Sequence, residues 1–145
     1  MTLSNQEILN RVTVHLYRQG KQAKKPMEDG GNFCLYRAPD GSKCAVGCLI
    51  PDELYDPSFE NNSADFFFYS EPEVGTAMNI NIHDKMSLRL LNRLQSIHDN
   101  SQNWQNFNNS SYDEFKSSWF GYKIAGIVEE FNLTFPPEEL FTNEN

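Results

Sequence analysis

The chain has 145 residues, enough for one domain around a single core of ordinary size. An apolar share of 39% and an aromatic share of 13% exceed what a disordered chain carries, so a folded domain over residues 1–145 is expected. The formal charge of −8 argues against a general nucleic-acid binder, which needs clustered Lys and Arg to displace counterions.

In chain order, Ser4-Asn-Gln-Glu7 has capping-box spacing, and Ile8, Leu9, Val12 and Leu16 recur at helical spacing until Gly20. Residues 21–31 read as an exposed connection. Phe33–Ala38 and Lys43–Leu49 flank Pro39-Asp40-Gly41-Ser42, a strong turn signal, which predicts a β-hairpin. A rival reading makes Cys44–Ile50 a short helix, since Ala45-Val-Gly-Cys-Leu49 fits either period, and Pro51 ends either element. Residues 52–62 read as loop. Phe66-Phe67-Phe68-Tyr69 is too apolar for water and belongs to a core or a buried partner surface. Ala77–Ile82 reads as a short strand. Asp84 caps a helix whose stripe is Met86, Leu90, Leu91, Leu94 and Ile97. A polar loop surrounds Trp104, and one last helix runs from about Tyr112 to Phe131 with Phe120, Ile124, Ile127, Val128 and Phe131 on its apolar face. Pro136-Pro137 stops it, leaving 136–145 as a frayed tail. The pattern predicts an α+β domain in which about three helices pack on a small hairpin-centred antiparallel sheet.

Charge is unevenly placed. Arg11, Arg18, Lys21, Lys24 and Lys25 make the first segment basic, and Glu129, Glu130, Glu138, Glu139 and Glu144 make the end acidic. Solvated surface charge explains this most simply. The sharper alternative is an acidic face that docks on a basic partner surface. No basic-then-apolar leader and no run near the roughly 20 apolar residues of a membrane span is visible. The odd number of cysteines in such a chain favours reduced thiols, and a cytoplasmic location in a host cell is expected.

The polar residues suggest four chemistries. Cys34, Cys44 and Cys48 with His83 or His98 supply zinc-type donors, but nine and three residues separate the cysteines and no two-residue knuckle exists. Packed core thiols are the simpler expectation, with no metal and no cofactor. A cysteine hydrolase would place Cys44 or Cys48 at a helix start, with His98 and Asp99 completing the arrangement. His83-Asp84 and His98-Asp99 suggest a His-Asp phosphohydrolase, yet only His15 remains as a third histidine, and Asp84 is better explained as a cap. Gly30-Gly31 and Gly41 match no phosphate-cradling loop. Aromatics are the remaining feature. Trp104, Phe107, Tyr112, Phe115, Trp119, Phe120 and Tyr122 crowd one region, as core or as a partner surface.

Cys34-Leu-Tyr-Arg37, Asp40-Gly41, Lys43-Cys-Ala-Val-Gly47, Leu49-Ile-Pro-Asp-Glu-Leu-Tyr-Asp56 and Leu94-Gln-Ser-Ile-His-Asp99 form scattered blocks over about half the chain. In these blocks the chain resembles a set of small uncharacterised proteins from phages and prophage regions. The resemblance implies a phage setting, in which short acidic proteins often block host enzymes or defence complexes. It brings no activity and no catalytic residues. The reading carried forward is a non-enzymatic inhibitor that binds a host or defence protein, or its small signalling molecule. Arg37, Trp104, Tyr112, Phe115, Trp119, Tyr122, Glu129 and Glu130 are its candidate contact residues. Membrane contact and direct nucleic-acid binding are not expected. The alternative is a cysteine- or metal-dependent hydrolase using Cys44 or Cys48 with His98.

Overall fold

Helix α1, Asn5–Gln19, begins where the sequence signals it. Ser4 Oγ accepts from the Glu7 N–H at 3.1 Å, and Glu7 Oε1 accepts from the Ser4 N–H at 3.0 Å, a complete capping box. The helix ends at Gly20, which takes the left-handed conformation at φ 73° and donates to Leu16 O. Its buried stripe of Ile8, Leu9, Val12 and Leu16 lies against α3, Lys85–Asp99, capped by Asp84 through the N–H groups of Met86 and Ser87. Leu90, Leu91, Leu94 and Ile97 form the facing stripe. Met86, expected on that stripe, is exposed.

The computed structural model describes residues 2–26, 32–60 and 68–142, and over these the fold is mostly helical. The remaining helices are α2 Pro72–Ala77, α4 Tyr112–Ser117, α5 Trp119–Glu130 and α6 Glu138–Thr142. This corrects the α+β expectation: no hairpin-centred sheet organises the core. Among the described residues, sheet pairing is confined to a ribbon of β1 Lys24–Pro26 antiparallel to β2 Asn32–Cys34.

The expected hairpin fails for a local reason. The turn itself forms, with Ala38 N–H donating to Ser42 O at 2.9 Å, but pairing stops at a single bridge between Arg37 and Lys43. Beyond it the chain coils: Cys48 N–H donates to Cys44 O, and Gly47–Leu49 closes as a 3-10 turn. Gly47 permits this, because a Cβ there would lie 2.0 Å from Tyr36 O. The 77–82 strand is likewise absent. Ala77 ends α2, Asn79 takes φ 64°, and Ile80 N–H returns to Gly75 O at 3.0 Å.

The long final helix is two helices. Ser118 is extended at φ −74°, ψ 170°, and serves both sides of the break. Its hydroxyl donates to Phe115 O at 2.6 Å and accepts from Gly121 N–H at 3.2 Å. The break turns α4 inward and places Phe115 at the centre of an aromatic cluster with Tyr17, Phe107, Phe120, Phe135 and Phe141. Where a frayed tail was expected, α6 instead docks Phe141 into this cluster, edge-on to Tyr17 at 5.0 Å. Residues 143–145, and Phe66 and Phe67 of the aromatic run, lie outside the described residues. Phe68 is buried and Tyr69 is exposed.

Candidate functional site

The thiols and His98 are the donors that a metal site or a cysteine hydrolase would use. Cys34 Sγ, a His98 ring nitrogen and an Asp99 oxygen lie within 4.8 Å of one another. His98 is wholly buried, and its Nε2 accepts from the Ala23 N–H at 2.9 Å. The proton of the neutral ring therefore sits on Nδ1, which donates to Asp99 Oδ1 at 2.8 Å. A metal on Nδ1 would push that proton to Nε2, against the Ala23 N–H. The donor set does not suit an ion. His83 is exposed on the turn before α3, away from this cluster.

The thiols are held as thiols. Burial, with the Asp99 carboxylate alongside, pushes Cys34 up to about 11. Burial pushes Cys48 up to about 12 and Cys44 further in the same direction. Cys44 Sγ accepts from the Gly47 N–H at 3.2 Å, and neither His98 nitrogen is left to serve as its base. Gln95 ties the region together, accepting from Val46 N–H at 3.0 Å and donating to Asp99 Oδ1 at 2.8 Å. The 43–47 and 94–99 segments thus meet in space, as a joint between loop and helix.

Arg37 is part of a second joint. Its guanidinium lies 2.8 Å from Asp52 and donates to Ile50 O at 2.8 Å, above the Tyr55 ring. Glu60 locks the same corner by accepting from the N–H groups of Tyr36 and Arg37 and from Tyr55 Oη. This arrangement holds backbone to backbone. Trp104 packs on Phe107 and Phe120 and donates its Nε1–H to His98 O at 2.8 Å. Tyr112 donates to Pro136 O at 2.8 Å, and Phe115 is fully buried. Of the eight residues named from sequence, these four are occupied inside the molecule.

Trp119, Tyr122, Glu129 and Glu130 remain, and α5 brings them together. Trp119 is 51% exposed and Tyr122 66% exposed, yet neither is loose. Their rings stack at 5.3 Å with an interplanar angle of 17°. The indole Nε1–H donates to Asn103 Oδ1 at 2.9 Å, and the Lys123 ammonium sits 4.8 Å from the indole centroid. Asn103 is itself buried, its amide donating to Ile97 O at 3.0 Å. Two large aromatic surfaces are therefore presented to water in one fixed orientation.

Beside them runs a cleft of about 450 Å³ between α3 and α5. Tyr122, Lys123, Gly126 and Glu129 line one wall, and Arg93, Ser96, Ile97 and Asn100 line the other. Both walls follow helical spacing, and the small side chains of Ser96, Ala125 and Gly126 leave the room. At the end of α5, Glu130 receives Arg89 and Arg93, each at 2.8 Å. Three cations thus face two carboxylates, a local positive surplus on a chain of net charge −8. Sequence reading missed Arg93, Asn100 and Lys123, because their relevance depends on the α3–α5 packing. Comparison with protein-family models, curated proteins and solved structures finds no match for this chain.

Proposed function

We propose that this protein acts by binding rather than by catalysis: a phage-type inhibitor that captures a host or defence-system component on the α5 face and blocks its activity. The observation that carries the reading is the Trp119–Tyr122 pair, stacked and tethered through Asn103 while more than half exposed. Rigid exposed aromatics lose little conformational freedom on binding, and Trp and Tyr dominate binding hot spots. The adjoining cleft gives the component a place to enter. The raised thiol pKa values and the doubly engaged His98 ring count against the hydrolase reading. No helix among the described residues is long and apolar enough to cross a membrane.

The test compares wild type with a Trp119→Ala/Tyr122→Ala double variant in affinity capture from a bacterial lysate, identifying retained proteins and small molecules by mass spectrometry. The expected result is a retained species that the variant loses although its melting temperature stays near that of wild type. A folded variant that retains everything wild type retains would remove α5 as the binding face.

A further inference from the structure

Between a protein target and a small molecule, the cleft favours the second. Resting on the binding reading above, we infer that the α3–α5 cleft takes a nucleotide-type ligand, a flat heteroaromatic ring carrying a phosphate, with the ring on Tyr122 and the phosphate at the Lys123 ammonium.

Three features converge on that chemistry. The first is size. At about 450 Å³ the cleft lies within the range of small-ligand sites, and its walls are fixed helices rather than loops. The second is the aromatic surface. One face of Tyr122 is stacked on the indole, and Tyr122, unlike Trp119, also lines the cleft. Tyr122 is largely exposed and has one face against the indole, so its other face is left to stack with one planar group at the border of the cleft, the ring being held by Trp119 and, through it, by Asn103. The third is charge. Lys123 and Arg93 line opposite walls of the same cleft, and Lys123 has no carboxylate within ion-pair distance among the described residues. Arg93 shares its carboxylate with Arg89, so Glu130 neutralises only one of the two guanidinium charges. Arg93 is held on Glu130 in the last turn of α5, away from Lys123, so the phosphate is assigned to the Lys123 ammonium, a compact charge of the kind that binds phosphate. Ser96 and Asn100, on the wall opposite Tyr122, supply hydroxyl and amide groups for the edge of a ring.

The same charges limit the ligand. Glu129 lines the cleft near the C-terminal end of α5, where the helix dipole is also negative, and the whole chain carries −8. A polyanionic strand would meet that repulsion along its length, whereas one phosphate at the Lys123 end would not. The inferred ligand is therefore a single small nucleotide, not RNA or DNA.

The experiment titrates the full chain with the four ribonucleoside 5′-monophosphates, with adenosine, and with inorganic phosphate, read by calorimetry and by indole fluorescence. At least one monophosphate is expected to bind, with adenosine and phosphate each about tenfold weaker or worse. Tyr122→Leu removes the ring face, Lys123→Gln the ammonium, and Gly126→Leu fills the cleft. Each is expected to weaken the bound monophosphate about tenfold or more while melting close to wild type, and higher salt is expected to weaken it further. No monophosphate binding at about 1 mM overturns the inference, as does binding that all three folded variants retain. Adenosine binding as tightly as its monophosphate removes the phosphate from it. If no nucleotide binds but the Trp119→Ala/Tyr122→Ala variant still loses lysate capture, the ligand class fails and the α5 binding face stands. If capture also survives, both fall.

Discussion

Gly121 and Gly126 lie on the same helix, and alanine at the two sites should change stability in opposite directions. In an exposed helix interior Gly→Ala stabilises by about 0.8–1 kcal/mol, because glycine loses more backbone freedom on folding. Gly126 meets that condition: a Cβ there would touch nothing within 4 Å. Gly126→Ala should therefore raise the melting temperature by about 3 °C, at roughly 3–4 °C per kcal/mol for a chain of this size. Gly121 sits where the first turn of α5 crosses the last carbonyls of α4. A Cβ there would lie 2.3 Å from Phe115 O and 2.5 Å from Lys116 O, both backbone atoms that cannot swing aside. Overpacking of this kind costs about 1–3 kcal/mol, and clashes this short belong at the upper end. After subtraction of the propensity gain, Gly121→Ala should destabilise by about 2 kcal/mol and lower the melting temperature by about 6–8 °C. Differential scanning calorimetry and urea unfolding of both variants decide the matter. Equal stabilisation at both positions would mean that residues 112–130 form one continuous helix, and the joint at Ser118 would be refuted.

Three further outcomes follow from the geometry. All three thiols should react with a disulfide reagent at pH 8 only after denaturation, since Cys34 at about 11 and Cys48 at about 12 are protonated there; rapid labelling of the native protein would contradict their burial. Glu60→Ala should cost about 2–3 kcal/mol in urea unfolding, because two backbone N–H groups and the Tyr55 hydroxyl lose a charged acceptor, and a cost below about 0.5 kcal/mol would show that the corner is held elsewhere. Burial lowers the pKa of His15 below its ordinary 6.5, so the unfolded chain takes up the proton first. Its stabilising contribution is whole above about pH 6.5 and is lost as pH falls below that value. His15→Gln should flatten that limb of the stability curve as pH falls below about 6.5, and an unchanged limb would assign it to other groups.

The parts of the fold legible in the sequence are those decided within one or two turns of chain. Ser4 with Glu7, Gly20 and Asp84 mark helix ends by bonding to their own neighbours, so α1 and α3 could be read without knowing what they pack against. The hairpin was misread because Ala45-Val-Gly-Cys-Leu49 satisfies both periods, and the choice depends on Gly47 closing on Tyr36, a contact that periodicity does not report. The break at Ser118 left a faint signal: a serine three residues before a glycine, inside a pattern that continues in phase across it. At the site, Trp119 and Tyr122 stood out because they fall off the apolar stripe of their own helix. Arg37 and Phe115 looked equally available, yet each is used up by a long-range partner, Asp52 and Ile50 for one and the Tyr17–Phe141 cluster for the other.

The clasp between α1 and residues 134–140 bears on how the molecule comes into being. Gln6 donates to Thr134 O at 2.8 Å and accepts from Thr134 N–H at 2.9 Å, while Arg18 donates to Leu140 O and Tyr17 O accepts from the Asn109 amide. Helix α1 is thus completed by residues more than a hundred positions later in the chain, Thr134 lying 128 positions after Gln6. At a synthesis rate of about 5–20 residues per second, Ile8, Leu9, Val12 and Leu16 await α3, and Tyr17 awaits Phe115 and Phe141, for on the order of ten seconds. During that interval the nascent chain carries a helix with one oily side and no lid, and it is then most open to chaperones and to capture by other unfinished chains.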